Sequence, residues 1–178
     1  MKPYTAQIVH TENSIIRLME CQDKICHPVL NLICSTGSVL LVVLAIMLQS
    51  KIGRISTIIL SFLGCWFFMI NRHRPKQLAE EAIKQLNGRM PTIKYAFTDK
   101  GICVTTDGHQ ETIPYNQITR LVEDGQYGYF FYQNKAAFIF EKSTAGNLPE
   151  LKEFLKDNVH LNWTGSRYVF QFPKKRKE

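Results

Sequence analysis

The chain has 178 residues and a formal net charge of +7, from 22 Lys and Arg against 15 Asp and Glu. That length supports one modest domain with appendages and excludes an array of separate cores. Five cysteines, an odd number with two inside apolar runs, exclude a disulfide framework, while the basic balance points to an anionic membrane face or nucleic acid.

Residues 1–28 read as a strand and an amphipathic helix. Tyr4 to His10 form a short β-like run, and Thr11 or Asn13 caps a helix from Glu12 to Cys26. Ile15, Leu18, Met19 and Cys26 fall near one face, which lies either on a membrane surface or on the soluble domain. Cys21 and Cys26-His27 have the spacing of a metal half-site. No second pair completes a four-ligand set, so no metal is expected.

Residues 29–70 organise the rest. VLNLICSTGSVLLVVLAIML is followed by the polar break QSKIGR and then by ISTIILSFLGCWFFMI, and neither apolar run carries a charge. The first run is about 20 residues, enough to cross a bilayer as a helix. The second, about 16 residues, spans once Asn71 and the flanking basic groups sit among the headgroups. Two helices apolar on every face have no place in a small soluble core. The run starts too late for a cleaved signal peptide, and Phe62-Leu63-Gly64-Cys65, which resembles a lipoprotein box, lies behind another span. The expectation is a transmembrane helical hairpin.

Gly53, Thr57, Ser61 and Cys65 recur every four residues, with Ser56 and Gly64 beside them. Such a stripe lets helix backbones approach, either on the first span through Cys34 and Ser38 or in self-association. No ionisable group lies inside either span, which argues against a transporter acting alone. Arg17 and Lys24 precede the hairpin, Arg72, Arg74 and Lys76 follow it, and its loop holds only Lys51 and Arg54. This distribution puts both termini in the cytoplasm of a multi-pass chain.

Residues 71–90 form a basic juxtamembrane segment and a linker helix after Pro75, with Leu78, Ile83 and Leu86 at helical spacing and Gly88 as C-cap. From residue 91 the period changes to two. KYAFT, ICVTT and HQETI read as strands joined by tight turns, followed by Ile118 to Glu123, Tyr127 to Tyr132 and Ala136 to Glu141. This meander must curl or be covered to hide its edges. Asn147 and Glu150 then have capping-box spacing, and Leu148, Leu151, Phe154 and Leu155 form one apolar face that closes the sheet. Residues 161–178 hold a strand-like run from Arg167 to Phe172 and a polybasic tail, Lys174, Lys175, Arg176 and Lys177.

The chain lacks the phosphate-binding loop, the zinc-protease helix and the serine-hydrolase elbow. His109 beside Asp107 sits in a hairpin turn, and Glu123 and Asp124 point to opposite faces of a strand, so neither pair builds a site. Tyr127, Tyr129, Phe130, Phe131 and Tyr132 lack the interleaved cations of a single-strand binder, so no nucleic acid is expected. They read as core, with excess rings on an exposed face available for a partner.

Tyr95-Ala96-Phe97-Thr98-Asp99-Lys100-Gly101-Ile102, Ile113-Pro114-Tyr115-Asn116-Gln117-Ile118, the aromatic strand and the Leu148 to Leu155 helix resemble the YcxB-like family. The resemblance covers roughly Val29 to Leu155. Tyr115 stands where the family pattern has tryptophan, and no proline follows Glu141. The resemblance implies a pleckstrin-homology-like (PH-like) antiparallel β-barrel or sheet with a C-terminal capping helix, carried at the bacterial inner membrane. It implies no catalytic residue and no cofactor.

The combined expectation is a membrane α+β protein, non-enzymatic, with residues 91–160 as a cytoplasmic PH-like domain. Its partners are the bilayer, anionic headgroups held by Arg72, Arg74, Lys76 and the polybasic tail, and an unidentified protein or second copy. The alternatives are a subunit of a larger membrane complex and a membrane-surface enzyme.

Overall fold

The structure is a computed structural model that describes residues 4–132 and 136–166. The elements run β1 (Tyr4–Val9), α1 (Glu12–Cys26), α2 (Pro28–Met47), α3 (Gln49–Gln85), β2 (Thr92–Thr98), β3 (Gly101–Thr106) and β4 (His109–Ile113). They continue with β5 (Ile118–Glu123), β6 (Tyr127–Tyr132), β7 (Ala136–Glu141), α4 (Leu148–Val159) and β8 (Trp163–Gly165). The run at Arg167 to Phe172 and the polybasic tail lie outside the described residues.

The strands form two open four-stranded sheets, ordered β1-β2-β3-β4 and β7-β6-β5-β8. Of the expected barrel or sheet, the structure has open sheets and no closed barrel among the described residues. The ladder breaks between β4 and β5, where Pro114 offers no N–H and Tyr115–Gln117 tighten into a 3-10 turn. β8 is a further departure, pairing parallel to β5 at the sheet edge.

β1 is part of the sheet domain. It pairs antiparallel with β2, from Tyr4 opposite Phe97 to Val9 opposite Thr92. Ala6 and Ile8 point inward and Thr5, Gln7 and Val9 outward, the alternation of a half-buried strand. The domain is therefore discontinuous in sequence, with α2 and α3 inserted between its first two strands. A boundary at residue 28 does not capture this, because the pairing is non-local.

Aromatic side chains join the sheets. Tyr95 and Phe97 of β2 meet Phe130 of β6 and Phe140 of β7 edge-on at 5.5–6.5 Å. The Tyr95 hydroxyl crosses to the other sheet and donates to the Ile139 carbonyl at 2.9 Å. Gly128 lets β6 pass the Phe140 ring, which a Cβ there would overlap. Tyr127, Tyr129, Phe130 and Phe131 are all buried and Tyr132 is half-buried, so none of the five rings is fully exposed. α1 supplies part of the cover: it packs on β7, and Cys21 lies in the same cluster.

Local chemistry sets the helix ends. Thr11 is the N-cap of α1: its Oγ1 accepts from Ser14 N–H and its own N–H donates to Ser14 Oγ. The apolar face of α1 lies on the sheet domain, the second of the two expected placements. Asn147 Oδ1 accepts from Glu150 N–H to start α4, whose Leu151, Leu155 and Val159 are buried. Phe154 packs on Tyr4 and Tyr115, so α4 closes the cluster against β1 as well as β4 and β5.

α2 and α3 form a helical hairpin. Gly53, at φ 78° and ψ 163°, interrupts α3 one turn after its start. α3 then continues without a break past Pro75 to Gln85, so the second apolar run, the basic segment and the linker are one helix. Pro75 removes one N–H, but Pro75 and Ala79 are buried and α3 packs against α1 there, contacts that hold the helix through the proline. The left-handed turn that ends α3 begins at Asn87 and continues through Gly88, one residue earlier than expected.

Both hairpin helices are long and apolar enough to cross a membrane. Their outward faces are bare: Met47 is 73% exposed, Ile55 77% and Ile58 68%.

Candidate functional site

α1, the start of α2 and the middle of α3 converge on a cleft of about 530 Å³. It sits where the apolar runs stop. Polar side chains appear there at helical spacing, Asn31 and Ser35 on α2, and Arg72 and Lys76 on α3. Lys24 and Glu20 of α1 form the other wall.

Asp23 is the unusual group in this cleft. It is only 6% exposed. Asn31 Nδ2 donates to Asp23 Oδ2 at 3.1 Å and to its backbone carbonyl at 3.2 Å. Arg74 Nε stands 3.9 Å from Oδ1, close enough for charge attraction and too far for a hydrogen bond. Oδ1 is shielded from solvent and accepts no hydrogen bond from the described residues. Leaving a buried carboxylate oxygen without a donor carries a desolvation cost of a kind that folded proteins usually avoid.

Three of the seven expected headgroup residues come together here. Arg72 and Lys76 line the cleft and Arg74 faces Asp23. Lys174, Lys175, Arg176 and Lys177 lie outside the described residues. Asp23 and Asn31 escape a reading by charge alone. The available signal was polarity in the wrong place, an asparagine three residues into an apolar helix that begins at Pro28.

Within the chain, the stripe of Gly53, Thr57, Ser61 and Cys65 is only partly buried. Thr57 and Ser61 are half-buried, but Cys65 is exposed and nothing lies within 4 Å of a Cβ built on Gly53. The close approach is at Gly64, where a Cβ would stand 2.8 Å from Val42 Cγ2 and 3.0 Å from the Ser38 carbonyl. Ser38 is buried on the first helix, as expected of the partner surface.

No protein-family model matches the chain, and no curated protein sequence matches it.

A second polar cluster ties the sheet domain together. Glu123 at the end of β5 receives Lys142 and Lys152, each at 2.6 Å. Burial works against ionisation of Glu123, but the two lysines outweigh it and hold the carboxyl below its usual range. Asp124 points away, accepting from Gln126 and Tyr127 N–H and from the Tyr129 hydroxyl. Burial opposes its charge too, and these donors again prevail. The two carboxylates thus have separate partners, as the strand alternation implied. His109 is exposed at the β3–β4 turn, beyond Asp107 and Gly108 with their positive φ.

Proposed function

We propose that this chain is a non-enzymatic integral membrane protein, with α2 and α3 as a transmembrane hairpin. It presents a PH-like sheet domain at the cytoplasmic face of a cell inner membrane, in a regulatory or scaffolding role. The domain binds lipid headgroups or a protein partner. One observation carries this reading: the outward faces of α2 and of α3 from Ile55 to Ile70 are apolar, and none of the described residues covers them. In water such a patch drives aggregation, whereas hydrocarbon is its natural solvent.

The β1–β2 pairing supports the sidedness. Two strands of one sheet must share a compartment, so the chain that leaves at β1 returns at β2 after an even number of crossings. Arg17, Lys24, Arg72, Arg74 and Lys76 then favour the cytoplasm over the loop side. Kinship with YcxB-like proteins is part of this proposal and rests on the sequence resemblance of Tyr95 to Ile102 and Ile113 to Ile118.

Alkaline extraction of membranes containing the full chain tests the anchor. The protein is expected in the pellet; recovery as a monodisperse species without detergent would remove the proposal. For the ligand, the soluble part must keep β1 and the expected cations, so residues 4–27 are fused to residues 71–178. Flotation of this fusion with anionic but not neutral vesicles supports headgroup binding, and equal behaviour with both leaves a protein partner.

A further inference from the structure

Resting on that membrane reading, we infer that the three-helix cleft binds a phosphate diester that carries a primary ammonium, the chemistry of an ethanolamine phospholipid headgroup. Both signs of charge are needed and both are present. Arg72, Lys76 and Lys24 supply cations for the phosphate. Asp23 supplies a buried carboxylate oxygen that lacks a donor, with Glu20 beside it on the same helix.

A purely anionic ligand satisfies the cations and leaves Asp23 Oδ1 as it is. A quaternary ammonium brings charge to the carboxylate but no N–H. A primary ammonium brings three donors on a compact centre. Arg74 does not fill this role, because its Nε stays 3.9 Å from Oδ1.

The position of the cleft selects a lipid over a soluble phosphate ester. Phe68, the last aromatic of the apolar run, lines it together with Asn71 and Arg72, so it opens where hydrocarbon gives way to headgroups. A lipid held by its acyl chains arrives at that depth already oriented.

The test is native mass spectrometry of the full chain in detergent, with equimolar phosphatidylethanolamine, phosphatidylcholine and phosphatidylglycerol of identical acyl chains. A charge-assisted bond to the carboxylate predicts roughly tenfold preferential retention of phosphatidylethanolamine over phosphatidylcholine. Asp23→Asn should abolish that preference, and Arg72→Gln with Lys76→Gln should weaken retention of all three. Equal retention of the ethanolamine and choline lipids by the unaltered protein overturns the inference, and that comparison needs no variant to fold. Displacement of the lipid by equimolar glycerophosphoethanolamine would overturn the lipid source while keeping the headgroup chemistry. Failure of the membrane reading is distinguishable, since the chain would then leave the pellet on alkaline extraction.

Discussion

Tyr95→Phe isolates a hydroxyl that bridges the two sheets. The ring is 1% exposed and packs edge-on against Phe130, Phe138 and Phe140, so its replacement by phenylalanine leaves those contacts and opens no cavity. What changes is the 2.9 Å bond to the Ile139 carbonyl, which loses this donor in a site closed to water. An orphaned buried acceptor costs about 1–3 kcal/mol. Tyr95→Ala additionally removes the ring and should cost about 3–5 kcal/mol, the range for core aromatics truncated to alanine. Urea unfolding in detergent reads both, with Trp163 as sole tryptophan, excited at its red edge, in a Trp66→Phe background; Trp163 packs against Phe140 and reports on this core. The midpoint should fall with the slope unchanged. A Tyr95→Phe protein as stable as the parent would refute the view that this hydroxyl bridges the sheets energetically.

Gly64→Val should loosen the hairpin by about 1–3 kcal/mol, because the new branched side chain meets Val42 and the Ser38 carbonyl; a lower thermal midpoint in detergent checks it, with Gly53→Ala as a control for the strained loop. Glu123→Gln should cost about 1 kcal/mol, the upper end for half-exposed ion pairs, measured by the same unfolding assay. The sign with pH follows from the depressed Glu123 carboxyl: its stabilisation is present above the ordinary carboxylate range and lost as pH falls through the lower folded value, and Glu123→Gln should flatten that limb. His10 acts higher up. Burial lowers its folded value below 6.5, so the folded state binds fewer protons than the unfolded one, and stability should fall as pH drops below 6.5 unless His10 is replaced by Asn. Burial pushes the Cys21 thiol up to about 12, so peptide mapping after iodoacetamide should find Cys21 unmodified until the domain is unfolded.

Local patterns were legible from the chain. The apolar runs, the two-residue period after residue 91, and the caps at Thr11 and Asn147 depend on neighbours within a few positions, and the corresponding elements form. What depended on distant partners was not legible. Nothing near Tyr4 to Val9 announces that β2 lies beyond the hairpin, and Trp163 to Gly165 is too short a strand to carry a period. The small-residue stripe illustrates the limit of spacing: Gly53 to Cys65 fits a four-residue repeat, but the face that meets α2 drifts with the 3.6-residue turn, toward Gly64. The cleft was half visible, since Arg72, Arg74 and Lys76 announce charge, whereas Asp23 becomes unusual only once three helices bury it.

The insertion of α2 and α3 between β1 and β2 also sets a timetable. β1 leaves the ribosome early and finds no ladder partner until the whole hairpin and its linker have been made. Left as free coil, the intervening chain would tax that encounter with the entropy of closing a long loop. Once the hairpin has doubled back on itself, its two ends lie side by side, and the distance β1 must search shrinks to the width of a helix pair. On the membrane reading, lipid would then serve as an assembly jig for the sheet domain, and defects in insertion should surface first as misfolding of the sheets.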